Sequence, residues 1–159
     1  MQRVPILIGS VALLVALGVA LHTANFTSYL GDDPAACNNC HVMDTAYESW
    51  FHGSHARWAT CNDCHTPHEI LPKYMTKTEA GFRHVSAFVL GDIPPAIRAR
   101  ESSRQIVQEN CIRCHQATVE DVLDGAMKFD TYCFECHRQV AHGARGIALS
   151  PLLHQEGSQ

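Results

Sequence analysis

The sequence predicts a mainly α-helical protein with little regular secondary structure, in which one N-terminal membrane helix precedes a cysteine-rich region. Three observations support this fold class. An uncharged apolar run lies near the N-terminus, all 8 cysteines fall into regularly spaced pairs, and the chain has only 159 residues. The charge balance is mild, with 12 basic and 16 acidic residues, which argues against the strongly basic surface typical of nucleic-acid binding.

The apolar run is VPILIGSVALLVALGVAL, residues 4–21. A helix of this length extends about 27 Å, enough to cross the hydrocarbon core of a bilayer. A cleavable signal peptide is the alternative, since Gly18, Val19 and Ala20 form an acceptable cleavage site, but the run is longer than a usual signal-peptide core. We therefore predict a membrane anchor over residues 1–30 and a second domain over residues 31–159.

Each cysteine pair is followed at once by a histidine. The four CxxCH motifs comprise Cys37, Cys40 and His41; Cys61, Cys64 and His65; Cys111, Cys114 and His115; and Cys133, Cys136 and His137. CxxCH is the attachment signature of haem c, in which two thioether bonds fix the porphyrin and the next residue carries an imidazole to the iron. Zinc sites and disulfides also use paired cysteines, but neither needs a histidine after every pair. The motifs predict four covalently bound haem c groups.

The spacing of the motifs predicts two dihaem halves. The pairs begin at positions 37, 61, 111 and 133, so two close pairs lie on either side of a longer connection. CHTPH and CHRQVAH each carry a further histidine, which supports a duplicated unit. We place the halves at about residues 31–92 and 93–145. With about thirty residues per haem, the haems themselves must form most of the core.

The long connection predicts two helices. Apolar residues recur at helical spacing within residues 74–92, while Lys73, Lys77 and His84 can share another face. The prolines at positions 94 and 95 end this helix. The second proline can open the next helix, which runs into Cys111.

Seven histidines lie outside the haem motifs, and some of them are candidates for second iron ligands. They are His22, His52, His55, His68, His84, His142 and His154. Low-spin electron-transfer haems need a second strong ligand. We favour His55 and His142, regard His52 and His68 as weaker candidates, and expect His22 and His154 to remain unliganded.

The order of motifs along the chain resembles a known family. After the membrane helix come DPAACNNCHVM, GSHARWATC, a stretch with GFRH, QENCIRCH and CHRQVAH. This order resembles the NapC/NirT family of membrane-anchored tetrahaem quinol dehydrogenases, in particular its NrfH branch, the small subunits of respiratory nitrite reductases. The resemblance covers nearly the whole chain. It implies a single-pass protein of the bacterial cytoplasmic (inner) membrane, with the haem domain on the periplasmic side.

The resemblance also implies a reaction and its partners. A protein of this branch oxidises menaquinol and passes the electrons to the catalytic subunit of a periplasmic pentahaem nitrite reductase, which converts nitrite to ammonia. Two alternatives remain open: an anchored tetrahaem relay without its own quinol site, and a quinol dehydrogenase that serves a different periplasmic reductase. A substrate-reducing multihaem enzyme is not expected, because the chain has no extra domain to build the pocket.

The family further implies an iron-ligand set. The methionine of CxxCHxM binds the first iron, which makes Met43 the ligand of haem 1 and displaces His41; the alternative is that His41 binds and Met43 only packs. His65, His115 and His137 are then the proximal ligands of haems 2, 3 and 4, with His55 distal at haem 4 and His142 distal at haem 3. The chain offers no clear distal ligand for haem 2, and the family implies that the catalytic partner supplies it.

Quinol oxidation releases two protons, so its site needs a group that can handle them. Lys77 matches a lysine of the family's quinol site, although it can instead contact lipid headgroups. His84 occupies a position near haem 1 where some family members have aspartate. It can accept a proton, given an ordinary pKa of about 6.5, or it can bind the iron and close the open side of haem 1.

Overall fold

The computed structural model describes residues 3–94, 96–122 and 131–142, together with the backbone of residues 147 and 148. Within these ranges the protein is mostly helical, which confirms the predicted fold class. The helices are α1 (Arg3–Thr23), α2 (Asp44–Phe51), α3 (Cys61–His65), α4 (Ile70–Leu90), α5 (Glu101–Asp121) and α6 (Cys133–Cys136). Three short 3-10 helices, Phe26–Leu30, Pro34–Asn38 and His41–Met43, connect α1 to α2.

Helix α1 contains the predicted membrane segment and extends it slightly at both ends. It has 21 residues and no buried side chain, and its length and composition fit a single membrane span. At 1.5 Å per residue it extends about 31 Å. Exposed apolar side chains that would be unfavourable in water are favourable in lipid, so this helix is the membrane anchor of the chain.

The part of the chain that the structure describes has almost no apolar core of its own. Its buried apolar residues are Ala36, Ala46 and Trp50. Two of these belong to α2, and the indole Nε1 of Trp50 donates a hydrogen bond to the carbonyl of Ala59 at 3.0 Å. This contact holds the residues that lead into α3 against α2.

The second haem motif forms α3, and a capping box fixes where the helix begins. The Thr60 hydroxyl accepts from the amide of Asp63, and the Asp63 carboxylate accepts from the amide of Thr60 at 2.8 Å. The buried Asn110 of α5 then donates to the carbonyls of Cys64 and Thr66, at 3.1 and 2.9 Å. These bonds pack the second motif against the helix that carries the third, across the predicted boundary between the dihaem halves.

The structure shifts the predicted boundaries of the two connecting helices. Helix α4 begins one turn earlier than predicted and ends at Leu90, because Gly91 adopts a left-handed conformation, with φ of 70°. The predicted helix start at position 95 was wrong. Ala96–Ile97 instead forms β1, which pairs antiparallel with β2 (Ile147–Ala148), and α5 begins only at Glu101. Sequence signals for a helix start did not reveal this pairing across fifty residues.

The fourth motif is held by the N-terminal half of α5. Arg104 forms an ion pair with Glu135, and its guanidinium lies over the ring of Tyr132, 4.7 Å from the centre. The side chain of Gln108 accepts a hydrogen bond from the amide of Cys133 at 2.8 Å. One helix therefore carries the third motif and positions the fourth, while the division into two dihaem halves remains a prediction.

Candidate functional site

No disulfide joins any two of the eight cysteines of the haem motifs, so none competes with haem attachment. A cysteine of each motif lies close in space to a cysteine of the next motif. Electrostatic contacts join Cys37 with Cys61, Cys64 with Cys114, and Cys111 with Cys133. The hydrogen bond from Cys61 lowers the pKa of the Cys37 thiol to about 7. The attachment points of consecutive motifs therefore lie side by side, which fits a row of closely spaced haems.

The first motif presents its methionine and its histidine to different surroundings. The His41 side chain is fully exposed and its Nδ1 lies 3.2 Å from a carboxylate oxygen of Asp44. Met43 is half-buried in the same short 3-10 helix. The histidines of the other three motifs, His65, His115 and His137, are exposed as well. The choice between Met43 and His41 as the iron ligand remains a prediction.

His142 is oriented by a serine of α2. The Ser49 hydroxyl lies 3.0 Å from Nδ1 of His142 and 3.0 Å from the carbonyl of Ala46. Burial lowers the pKa of His142, although a hydrogen bond to the Ala46 backbone opposes this shift. These contacts hold a neutral imidazole in one orientation, as a metal ligand requires.

Two pairs of histidine rings are spaced as ligands of a shared iron would be. The ring centres of His55 and His115 are 6.1 Å apart, and those of His65 and His142 are also 6.1 Å apart. With metal–nitrogen bonds of about 2 Å, imidazoles on opposite sides of one iron have ring centres about 6 Å apart. The donor set therefore fits haem.

These ring pairs differ from the distal assignments that the resemblance implied. Within the described residues, no ring contact joins His55 to His137, or His142 to His115. Desolvation and the neighbouring His142 lower the pKa of His65 to about 4, although His65 keeps an exposed edge. Its imidazole is thus neutral, as a ligand must be. The distal roles of His55 and His142 stay predictions, and which haem each one serves is open.

The remaining candidate histidines have other surroundings. The exposed His52 lies 3.4 Å from the Glu48 carboxylate, and Nε2 of His68 lies 3.3 Å from the carbonyl of Asp63. His137 lines an open depression of about 520 Å³ beside the fourth motif. His22 lies in the last turn of α1, whereas His154 lies outside the described residues. The weaker ranking of His52 and His68 as iron ligands stays a prediction.

Lys77 lies where the membrane anchor meets the haem domain. Its ammonium donates to the carbonyls of Tyr29 and Gly31, at 3.2 and 2.5 Å, and lies 3.3 Å from the Asp32 carboxylate. Lys73, one turn earlier on α4, lies 2.6 Å from the other oxygen of the same carboxylate. Both lysine side chains are mostly covered, with 15% and 21% exposure for Lys77 and Lys73, while that of Asp32 is 50% exposed.

The electrostatics of this cluster keep Asp32 ionised. The hydrogen bond from Lys73, reinforced by Lys77, lowers the pKa of Asp32. Farther along α4, desolvation and the neighbouring Arg83 lower the pKa of His84, although part of its side chain stays exposed. His84 is seven residues beyond Lys77, about 10 Å along the helix axis. The same helix face thus carries a cation fixed by a carboxylate and a neutral imidazole.

Sequence reasoning identified Lys77 but missed Asp32 and Asn62. The Asn62 amide donates to the Asp32 carboxylate at 2.8 Å, and Asn62 lies between the two cysteines of the second motif. Asp32 is separated from its two lysines by more than forty residues. Its place in DDPAAC, directly before the first motif, was the available signal.

Comparisons with known proteins agree with this arrangement. The pattern of the NapC/NirT cytochrome c family, N-terminal region, matches residues 2–146. The chain is 36% identical over 156 residues to the cytochrome c-type protein NrfH of Wolinella succinogenes, a match that covers 89% of this chain and 88% of the relative. It is 35% identical over 154 residues to the cytochrome c nitrite reductase subunit NrfH of Nitratidesulfovibrio vulgaris, with 97% and 91% covered.

A solved structure resembles the chain as a whole. A chain in the crystal structure of the cytochrome c nitrite reductase NrfHA complex bound to the HQNO inhibitor matches with a TM-score of 0.65 and 31% identity. The match covers 97% of this chain and 98% of the other. The likeness therefore includes the N-terminal helix as well as all four CxxCH motifs.

Proposed function

The chain belongs to the NapC/NirT cytochrome c family, and from this membership we propose that it is a quinol dehydrogenase with four covalently bound haem c groups. It oxidises menaquinol at the bacterial cytoplasmic (inner) membrane and passes the electrons to the catalytic subunit of a periplasmic pentahaem nitrite reductase, which forms ammonia. The single observation that carries the quinol site is the position of Lys77. It joins the residues that follow the membrane anchor to the haem domain.

The position of Lys77 supports a site for a lipid-soluble donor. Its hydrogen-bond partners Tyr29 and Gly31 lie between the end of α1 and the first cysteine, Cys37. A quinol that diffuses within the bilayer meets the ammonium, the anchor and the first attachment site in one region. A site deeper in the haem domain would require the quinol to leave the lipid.

The side chains near this site have complementary roles in the proposal. The ammonium of Lys77 binds a quinol oxygen and stabilises the negative charge that develops as the proton leaves. His84, whose pKa is lowered, is neutral near pH 7 and accepts a proton. Bound haem c supplies one-electron oxidation at iron. Met43 would hold the iron of haem 1 on the side of the quinol site.

The partner and the orientation are inferred from the relatives. Both NrfH relatives match over most of their length, and one of them is a subunit of cytochrome c nitrite reductase. We extend this assembly to the present chain, with the haem domain in the periplasm. The neighbouring cysteines of successive motifs support a stepwise electron path from the first motif toward the partner.

One observation favours a second candidate, an anchored electron relay. The three N–H donors of the Lys77 ammonium face three acceptors that are already present, from Tyr29, Gly31 and Asp32. A lysine with such a complete set of partners can have a purely structural role, in which it joins α4 to the anchor and binds no quinol. In that case electrons reach the haems from another redox protein.

Anaerobic mixing of the full-length holoprotein with a reduced menaquinol analogue distinguishes these candidates. We expect rapid reduction of the haems, seen in their absorption bands, and a strong loss of rate in Lys77→Met. Thr78→Ala, one position along α4, is the control for changes in this helix. Absence of reduction, both alone and with the nitrite reductase subunit, would overturn the quinol dehydrogenase and leave the relay.

A further inference from the structure

Asp32 is the acidic residue on which the two lysines of α4 converge. Lys73 lies 2.6 Å from one of its carboxylate oxygens, while Lys77 and the Asn62 amide lie 3.3 and 2.8 Å from the other. Every contact is a charge-assisted or polar hydrogen bond, and charge-assisted bonds are stronger than neutral ones. The carboxylate therefore links α4, the residues after the anchor and the second haem motif.

We propose that Asp32 is a positioning residue of the quinol site, which acts through Lys77 by holding its ammonium at the exit of the membrane anchor. This inference rests on the proposed quinol oxidation. It adds Asp32 to the site and gives the carboxylate a role that differs from proton transfer.

The geometry gives Asp32 and Lys73 separate parts in this role. Because Lys73 holds the carboxylate by the shorter contact, Asp32 stays in place when Lys77 changes partners. Lys77 also contacts the carbonyls of Tyr29 and Gly31, at 3.2 and 2.5 Å. A quinol oxygen can take the place of the longer of these two contacts while Asp32 and Gly31 continue to hold the ammonium.

Asp32 is a weak proton acceptor, which leaves that task to another group. A carboxylate bound to two ammonium groups strongly favours its ionised form, so it holds few protons at neutral pH. A fixed negative charge next to Lys77 instead favours one orientation of the ammonium before the quinol arrives. Such preorganisation improves binding because less side-chain freedom is lost when the complex forms.

The test is a double-mutant cycle on the full-length holoprotein with a reduced menaquinol analogue. The variants are Asp32→Asn, Lys77→Met and the combination of both, and kcat and KM are measured for each. We expect Asp32→Asn to raise KM about tenfold with little change in kcat, because the ammonium that binds the substrate loses one charge-assisted contact that holds it in place. In the Lys77→Met background the same change should have less than about a twofold effect, since its partner is absent.

Matched controls separate positioning from structural damage. Asp33→Asn changes the neighbouring carboxylate, which accepts from the Ala35 amide and contacts neither lysine, and it should behave like the parent. Asp32→Glu keeps the charge and should restore most of the affinity. If Asp32→Asn does not mature, Lys73→Met replaces it in the cycle, with a smaller rise in KM that again requires Lys77.

The outcomes bear on the two proposals separately. An unchanged KM in Asp32→Asn, or an equal loss with and without Lys77, overturns the positioning role while quinol oxidation by the parent stands. If the parent fails to oxidise quinol, both proposals fall. Intact haem absorption bands in every variant show that the comparison concerns the site and not haem attachment.

Discussion

Met43 and His41 lie within one turn of chain, yet one is half-buried and the other fully exposed. Either side chain is a candidate ligand of the first iron. The sequence alone left this choice open, because CxxCH predicts the histidine and only the family resemblance favoured the methionine. The exposure of His41 does not decide it, since His65, His115 and His137 are exposed as well.

Substitution of these two residues should have unequal effects. We expect Met43→His to supply a stronger ligand on the same side of the iron, change the absorption and resonance spectrum of the first haem and slow quinol oxidation at least tenfold, because a stronger ligand lowers the potential. His41→Ala, the matched control, should preserve both the spectrum and the rate. Electron paramagnetic resonance and stopped-flow absorption measure the two properties. A spectral change in His41→Ala would assign the ligand to His41 instead.

The pH dependence of the reaction should report His84. Its pKa is lowered below 6.5, so the neutral, proton-accepting form persists as the pH falls and is lost only when the pH passes that lowered pKa. We expect kcat/KM to decline on the acid side below pH 6.5. His84→Gln should remove this decline together with most of the activity.

Arg83 provides an independent check on the pH profile. Its positive charge contributes to the lowered pKa of His84, so Arg83→Gln should move the acid-side decline of kcat/KM to higher pH. A decline that is unchanged in both variants would assign it to another group. The measurement is the rate of haem reduction by quinol across a pH series.

Helix α5 carries the third haem motif and also holds the fourth in place. Its sequence pattern predicted only the first of these roles. The pattern predicted a surface helix leading into Cys111. The structure shows that its first turns hold α6 through Arg104, which reaches Glu135 and the rings of Tyr132 and Phe134. Such contacts between residues thirty positions apart leave no periodic signal. The helix itself was predictable, but its partners were not.

Arg104 should therefore matter more for stability than a nearby exposed arginine. We expect Arg104→Ala to lower the free energy of unfolding by about 1–3 kcal/mol, because an ion pair and two aromatic contacts are lost. Arg100→Ala, which removes an ion pair with Glu79 whose members are 58% and 64% exposed, should cost less than about 1 kcal/mol. Denaturant unfolding followed by haem absorption measures both. Equal losses would contradict a special role for Arg104.

Helix α4 was predictable in extent but not in its contacts. Apolar spacing predicted the helix, and the lysine-bearing face was recognised as separate. The link from Lys73 and Lys77 back to Asp32 depends on how the chain turns after the membrane anchor. Local spacing does not contain that information, because a tertiary contact over forty residues depends on the whole fold.

At the scale of the whole molecule, the described residues bury very few apolar side chains. This agrees with the prediction that attached haems form most of the core, which followed from chain length and motif count. Chain length, the CxxCH motifs and the apolar segment therefore determined the architecture well. The sequence predicted less well which histidines would pair at one iron, because that depends on which rings come close together in the folded chain.

Loss of one attachment site should show how much the domain depends on its haems. We expect Cys61→Ser combined with Cys64→Ser to lower the melting temperature of the whole haem domain, because the second motif packs between α2 and α5. The same double change at Cys133 and Cys136 should have a smaller effect, since α6 contacts chiefly α5. Thermal melting followed by circular dichroism gives the comparison. Melting temperatures equal to that of the parent in both variants would indicate that neither haem supports the fold.

The near absence of a polypeptide core has a consequence for how such a chain diverges. Where an attached ring fills the interior, the side chains between the motifs carry little of the packing that usually resists substitution. Mutations between the motifs can accumulate while the cysteine spacing and a few hydrogen bonds and ion pairs between the motifs are kept. A relative with 36% identity still aligns along 88% of its length. We expect related chains to keep the residues that attach the haems while the residues between the motifs change.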